Sequence, residues 1–239
     1  NQATNVMRIS AARNQFTSIP DTIGSMGGFF QWLDFANNKI THIPAESVWE
    51  SLTSLMNIYL QDNPIGGPLP TWWVEAPISG GDYVCYINLT NCGFTGVLPA
   101  LNSQHLNGIW LSGNKLTGWE GVVYAPNLNY LYLDHNKIET ALMPAMANLT
   151  GLQELDVAFN KIPGSLPAAI SSLSGLNMLR VNNNKLTGAV PPLAAMTGWE
   201  ELDLSSNRLN LCASNPSFSP TAQLTDCDVH SNLGVCSCK

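Results

Sequence analysis

Apolar residues fall at positions 1, 4, 6 and 11 of a unit that recurs nine times along the chain, and its ninth position is Asn or Cys. One copy runs from Leu152 through Leu155, Val157 and Asn160 to Ile162. The ninth-position residues are Asn14, Asn38, Asn63, Cys92, Asn114, Asn136, Asn160, Asn184 and Asn207, spaced 22 to 25 residues apart except for one interval of 29. Alternation around positions 4 and 6 predicts a short strand in each copy, such as Glu154–Asp156 or Tyr130–Tyr132. A unit of this length cannot bury its own apolar side chains, so copies must stack around one shared core. Their strands then pair in parallel, at about 4.8 Å per repeat.

The ninth residue is buried where the chain turns out of the strand. Asn suits that place because its side chain hydrogen-bonds backbone groups leaving the ladder. Cys92 fills it once as a small residue that tolerates burial. The succession L-x-x-L-x-L-x-x-N/C-x-L resembles the leucine-rich repeat. Residues 65–70, 94–99, 162–167 and 186–191 continue as hydrophobe-x-Gly-x-hydrophobe-Pro. That continuation is similar to the plant-type extracellular repeats of polygalacturonase-inhibiting proteins and receptor-like kinase ectodomains, over about residues 6–211. The resemblance implies an α/β repeat solenoid, a curved right-handed superhelix of about nine repeats with a parallel sheet on its concave face. It also implies a second short strand beside those four Gly-containing segments. The copies starting at Phe16 and Ile40 are shorter and lack the Gly, those at Leu116 and Ile138 lack the Pro ending, and the family's N-terminal cysteine pair is absent.

Alternate strand residues point to opposite faces, so positions 3 and 5 project from the concave side. Trp32, Tyr86 and Tyr130 occupy position 3, while Tyr59, Trp110 and Tyr132 occupy position 5, giving an aromatic stripe across repeats two to six. Exposed Trp and Tyr mark binding surfaces because they bury large area at low entropic cost. Mutual stacking along the ladder is the alternative use. A solvent-facing stripe predicts that replacing Tyr59, Trp110 and Tyr132 by Ala leaves the thermal midpoint within a few degrees. Carboxylates flank the stripe: Asp34, Asp62, Asp134, Glu154, Asp156, Glu201 and Asp203, against Arg8, Arg13 and Arg180. The candidate ligand-binding set is Trp32, Asp34, Tyr59, Tyr86, Trp110, Tyr130, Tyr132, Asp134 and Asp156. Such a surface disfavours polyanions and suits a basic protein, a cationic peptide or a neutral polysaccharide.

Net charge is −7, and six of the ten basic residues (Lys39, Lys115, Lys137, Lys161, Lys185, Arg208) share position 10. They read as a solvated row on one flank, and no nucleic-acid footprint remains. No apolar run of about 18 residues exists to span a membrane. The sequence starts at Asn1 with no signal-peptide pattern, as expected of a processed secreted protein or an ectodomain. Its first strand is expected to be covered by upstream sequence or by another chain.

Cys212, Cys227, Cys236 and Cys238 close the chain beyond a solenoid of residues 1–211. In a cap of residues 212–239 they read as two disulfides of undetermined connectivity, with a four-thiolate zinc site as the rival. Cys85 and Cys92, separated by a strand, are expected to stay thiols. Asn88 and Asn148 begin N-glycosylation sequons; Asn148 lies in a convex loop, whereas a glycan on Asn88 would stand on the concave face. One of Trp72 and Trp73 is expected to pack into the convex core. No catalytic motif, metal-ligand spacing or cofactor fingerprint is present. Carboxylates do neighbour one another across strands, as glycoside hydrolysis would require, but no means of raising one pKa is evident. The chain thus reads as a non-catalytic, extracellular module that recognises a protein or peptide. The alternative is a carbohydrate-binding or matrix structural protein.

Overall fold

The computed structural model describes residues 5–73, 84–120, 122–193, 196, 198–210 and 226–228. Among these, ten short strands form one parallel sheet in chain order: Arg8–Ser10, Trp32–Asp34, Asn57–Tyr59, Tyr86–Asn88, Gly108–Trp110, Tyr130–Tyr132, Glu154–Asp156, Met178–Arg180, Glu201–Asp203 and Asp226–Asp228. Register follows the repeat position: Trp32 lies opposite Asn57, Tyr130 opposite Glu154, and Tyr132 opposite Asp156. The central residues Leu33, Ile58, Ile87, Ile109, Leu131, Leu155, Leu179 and Leu202 are buried in a core that runs through all the repeats.

The tenth strand lies inside the segment read as the cap. Cys227 stands opposite Leu202, at the fourth position of its unit. The sequence carried the signal: Leu224, Cys227, Val229 and Asn232 keep the repeat spacing, with Cys in place of Leu. The side chain of Cys227 lies outside the described residues, as do Cys212, Cys236 and Cys238, and with them the two-disulfide reading. Cys85 and Cys92 are thiols, as expected.

Units of 22 to 25 residues leave little chain for the convex side. Among the described residues it closes with 3-10 turns at Asp21–Phe29, Thr71–Trp73, Pro144–Asn148 and Ala168–Ser172, and with one short α-helix, Glu46–Glu50. Trp49 is fully buried there and donates Nε1–H to the Pro44 carbonyl at 2.9 Å. Trp73 packs edge-on against it, with ring centroids 5.6 Å apart, and next against Phe94 at 6.4 Å. The longest repeat is filled in this way, by one of the two tryptophans expected there.

Second strands flank the main sheet. Thr95–Leu98 pairs with Lys115–Trp119, and Pro163–Gly164 with Lys185–Ala189 and then Arg208–Asn210, all in parallel. Three of the four Gly-containing segments form such a strand; the fourth contributes an isolated bridge from Pro68 to Thr95. Lys115–Trp119, which lacks the Pro ending, forms one as well.

The ninth-position ladder is a repeated three-way junction. Asn136 donates Nδ2–H to the carbonyls of Leu111 (2.9 Å) and Leu133 (3.0 Å), and its Oδ1 accepts the Leu116 N–H at 2.9 Å. One side chain thereby bonds backbone groups of two successive repeats; the Leu111 and Leu133 carbonyls accept from Asn114 and Asn160 as well, while the Leu116 N–H depends on Asn136 to escape being buried unpaired. A thiol cannot reproduce this. Cys92 donates Sγ–H to the Leu60 carbonyl at 3.1 Å, and the Ile65 N–H, which an Asn there would receive, turns to the Asn63 carbonyl at 2.9 Å. Burial pushes the Cys92 thiol up to about 12.

Position 8, just before the ladder residue, is left-handed throughout, with φ between 51° and 68° at Arg13, Asn37, Asp62, Asn91, Gly113, His135, Phe159, Asn183 and Ser206. Asn, Asp and Gly accept that conformation readily; Phe does not.

Candidate functional site

The six stripe aromatics lie on the sheet face that their register demands, and all six are half-buried. They form two groups. In the first, the Arg8 guanidinium lies 4.4 Å over Trp32, which packs on Tyr59 at 4.8 Å. In the second, Trp110 is the hub, stacked with Tyr86 (6.2 Å), Tyr130 (5.9 Å) and Tyr132 (6.0 Å) at interplanar angles of 20° to 29°. Asn88 separates the groups, opposite Tyr59 on one side and Trp110 on the other. Strand spacing near 4.8 Å brings rings of neighbouring strands into contact, Trp110 and Tyr132 at the same position and the other pairs across positions 3 and 5, so the stripe is partly its own partner. The mutual stacking expected along the ladder is present, and the rings remain half-exposed. Replacing three of its rings therefore removes packing as well as ligand-facing surface.

Gly108 makes the hub possible. A Cβ there would lie 2.5 Å from Trp110 Cη2 and 2.6 Å from Cζ3, so the indole lies across the bare backbone of its own strand. In sequence, Gly108 is only a gap in the row of position-3 side chains. The signal was a Gly two residues before a Trp on the same strand face.

The carboxylates divide their oxygens between turn and surface. Asp34, Asp156 and Asp203 each accept through Oδ1 the N–H two residues on, from Ala36, Ala158 and Ser205 at 3.0–3.1 Å, and Asn88 does the same for Thr90 at 3.1 Å. Asp34 Oδ2 also accepts from Ser10 Oγ at 3.1 Å. Asp134 accepts from Ser112 Oγ and lies 2.8 Å from His135 Nδ1. The Tyr132 hydroxyl donates to Glu154, and burial together with that bond raises the phenol above its ordinary pKa. Arg180 is clamped, with Nε and Nη2 on Glu201 at 2.5 and 2.6 Å and Nη1 on Asp156 at 3.3 Å.

Burial raises the Asp156 pKa against the lowering effects of the Ala158 N–H and Arg180. The structure thus supplies a means of raising a carboxyl pKa that the sequence did not reveal. Both Asp156 oxygens are nonetheless occupied, by Ala158 N–H and Arg180. A recess of about 270 Å³ opens among Asp134, His135, Asp156, Phe159, Arg180, Asn182 and Asp203. Sequence reasoning placed Asp134 and Asp156 on this face but missed Phe159 and Asn182.

Of the two sequons, Asn148 is exposed at the end of its convex turn, and Asn88 is half-buried with Oδ1 engaged. The position-10 cations are exposed as a row, with Lys161 2.8 Å from Glu139. Among the described residues, no three His, Cys, Asp or Glu side chains are grouped to hold a metal ion, and no helix is long and apolar enough to cross a membrane.

A family model described as "Leucine rich repeat" matches residues 126–186. The PEPR1–AtPEP1 crystal structure superposes over 96% of this chain and 35% of that one, with a TM-score of 0.72 and 21% identity. The fold is a leucine-rich repeat solenoid.

Other leucine-rich repeat structures agree. A TDR receptor covers 90% of the chain with 33% of its own at a TM-score of 0.60 and 22% identity. Protein LIC12759 of Leptospira interrogans covers 91% with 64% of its own at 0.52 and 20% identity. Lumican of Rattus norvegicus is 28% identical over 147 residues, which is 60% of this chain and 41% of lumican. The chain therefore spans less than half the length of this curated relative. Proteins as different as a TDR receptor, a Leptospira interrogans protein and lumican are similar to this chain, so the repeat fold alone does not select among their roles.

Proposed function

We propose that the protein is a non-catalytic extracellular recognition module, of the plant receptor or inhibitor type, that binds a basic protein or peptide on its sheet face. The observation that carries this reading is the line of six half-exposed aromatic rings across repeats two to six. The repeat itself asks only for apolar residues at the inward positions, so rings at positions 3 and 5 are extra to the core. They offer rigid amphipathic area, the kind that dominates binding energy. The acidic border favours a cationic partner. Relatives in fold are consistent, since PEPR1 is paired with AtPEP1 and the plant peptide hormone receptor RGFR1 with RGF2.

The test is a pull-down from native extracellular material with the wild-type chain and with Trp110→Ala, run beside a glycan array. Capture of a basic protein or peptide that weakens at elevated salt and with Trp110→Ala supports the proposal, since exposed charge pairs are screened. Salt-insensitive binding to a neutral glycan, with no protein captured, overturns it in favour of a carbohydrate-binding or matrix role.

A further inference from the structure

Beyond the aromatic stripe, repeats six to nine hold the recess between Asp134 and Asp203, and three independent features meet in it. The first is Phe159. It occupies the left-handed position 8 with φ 51°, which a bulky side chain resists, and it is still 46% exposed. Packing does not account for it, since the fold accepts Asn at the same position in the next repeat, at Asn183. His135 stacks on this ring with centroids 4.3 Å apart and planes 16° apart, holding it upright. An exposed apolar ring kept in an unfavourable conformation points to use by a ligand.

The second feature is Asn182. Its side chain lines the recess and is only 8% exposed, yet Oδ1 has no hydrogen-bond donor. Leaving a buried amide oxygen unpaired is costly, and a donor entering the recess would relieve that cost. Rotation about χ2, a broad torsion in Asn, can present the oxygen to such a donor.

The third is charge. Asp134, Asp156 and Asp203 line the recess beside Arg180, which is tied to Asp156 and, outside the recess, to Glu201, while Asp134 is held by Ser112 and His135. The surplus is negative, so an anion seeking Arg180 is disfavoured and a cation is drawn in.

We infer that this recess receives one guanidinium group, the arginine side chain of a bound peptide. A guanidinium is planar, stacks on an aromatic face, and donates in a fork to carboxylate and amide oxygens together. The Phe159 ring supplies the stacking face, Asn182 the amide acceptor, and Asp203 and Asp134 the charge. An ammonium would lack the flat face that matches the ring. The inference rests on the recognition reading only for the source of the arginine; the subsite itself is defined by these side chains.

The test uses N-acetyl-L-arginine amide as the probe and its uncharged isostere N-acetyl-L-citrulline amide as the comparator, in NMR titrations of the whole chain. The arginine probe is expected to shift the Ala158, Phe159, Asn182 and Asp203 amides saturably, and the citrulline probe to leave them unmoved. Phe159→Asn keeps a residue suited to φ 51°, and Asp203→Asn keeps an acceptor for the Ser205 N–H, so both variants should fold. Each should weaken the arginine probe about three- to tenfold. Equal shifts with citrulline amide, unchanged affinity in Phe159→Asn, or no shift at these four amides overturns the subsite. None of these results bears on the stripe, which the pull-down with Trp110→Ala tests separately.

Discussion

Replacing Gly108 by Ala places a methyl group against the Trp110 indole. The new Cβ would lie 2.5 and 2.6 Å from two indole carbons and 3.1 Å from Tyr86 Cδ1. Carbon atoms pack at about 3.5–4.0 Å, so the ring must swing off the strand. Its stacks with Tyr86, Tyr130 and Tyr132 are then broken or loosened. Aromatic pairs of this kind contribute about 0.5–1.5 kcal/mol each, so losing two of the three costs about 1–3 kcal/mol. The opposing effect is the lower entropy of the unfolded chain with Ala, about 0.4–1 kcal/mol in favour of the variant, because Gly108 needs no left-handed φ. The stack wins, and net destabilisation of about 1–2 kcal/mol is expected. Thermal unfolding followed by circular dichroism should show a midpoint lowered by about 2–8 °C, given about 2–4 °C per kcal/mol for a chain of this size. The near-ultraviolet signal of the coupled rings should change with it. In a Trp110→Ala background the two shortest contacts are gone and Tyr86 need give way by only about a few tenths of an ångström, so Gly108→Ala should stabilise there by up to about 0.4–1 kcal/mol. A Gly108→Ala protein more stable than wild type with Trp110 present would refute the reasoning.

In Asn136→Ala, the Leu116 N–H loses its acceptor, whereas the Leu111 and Leu133 carbonyls keep the Nδ2–H of Asn114 and Asn160; one donor left buried costs about 1–3 kcal/mol, so urea unfolding should show a loss of about that size. A loss below about 1 kcal/mol would mean that the ladder bond is dispensable. The Cys92 thiol should resist a disulfide reagent at pH 8 in the native state and react once the chain unfolds. Its folded pKa of about 12 exceeds the unfolded thiol value of about 8.5, so the native state holds the proton more tightly. This contribution is complete below the unfolded pKa and is lost as pH rises towards 12; wild type should therefore lose stability more steeply than Cys92→Ala across that window. Replacing Tyr59, Trp110 and Tyr132 together by Ala should lower the melting midpoint by more than a few degrees, because these rings pack on one another; an unchanged midpoint would restore the picture of a freely exposed stripe.

The repeat, the parallel sheet and its register were legible because each follows from chemistry within one unit. Leu152, Leu155, Val157 and Ile162 must face inward, Asn160 must turn the chain, and identical units can stack only in register. Even the tenth strand was written in Leu224, Cys227, Val229 and Asn232, although the Cys at position 4 and the neighbouring cysteines suggested a cap. The face carrying Trp32, Tyr59, Trp110 and Asp156 followed from alternation alone.

What sequence could not supply was distance between residues one repeat apart. Trp110 against Gly108, His135 on Phe159, and the Ile65 N–H turning to the Asn63 carbonyl rather than to Cys92 are all settled by packing. Alternation says that a side chain leaves the sheet; it does not say whether the side chain meets water or the ring of the next strand. That outcome depends on the rotamer each side chain adopts beside neighbours some 22 to 29 residues away, and on which buried polar atoms find partners there. Period and face are local properties of the chain. Exposure, stacking and the unpaired oxygen of Asn182 arise only when several repeats are stacked together.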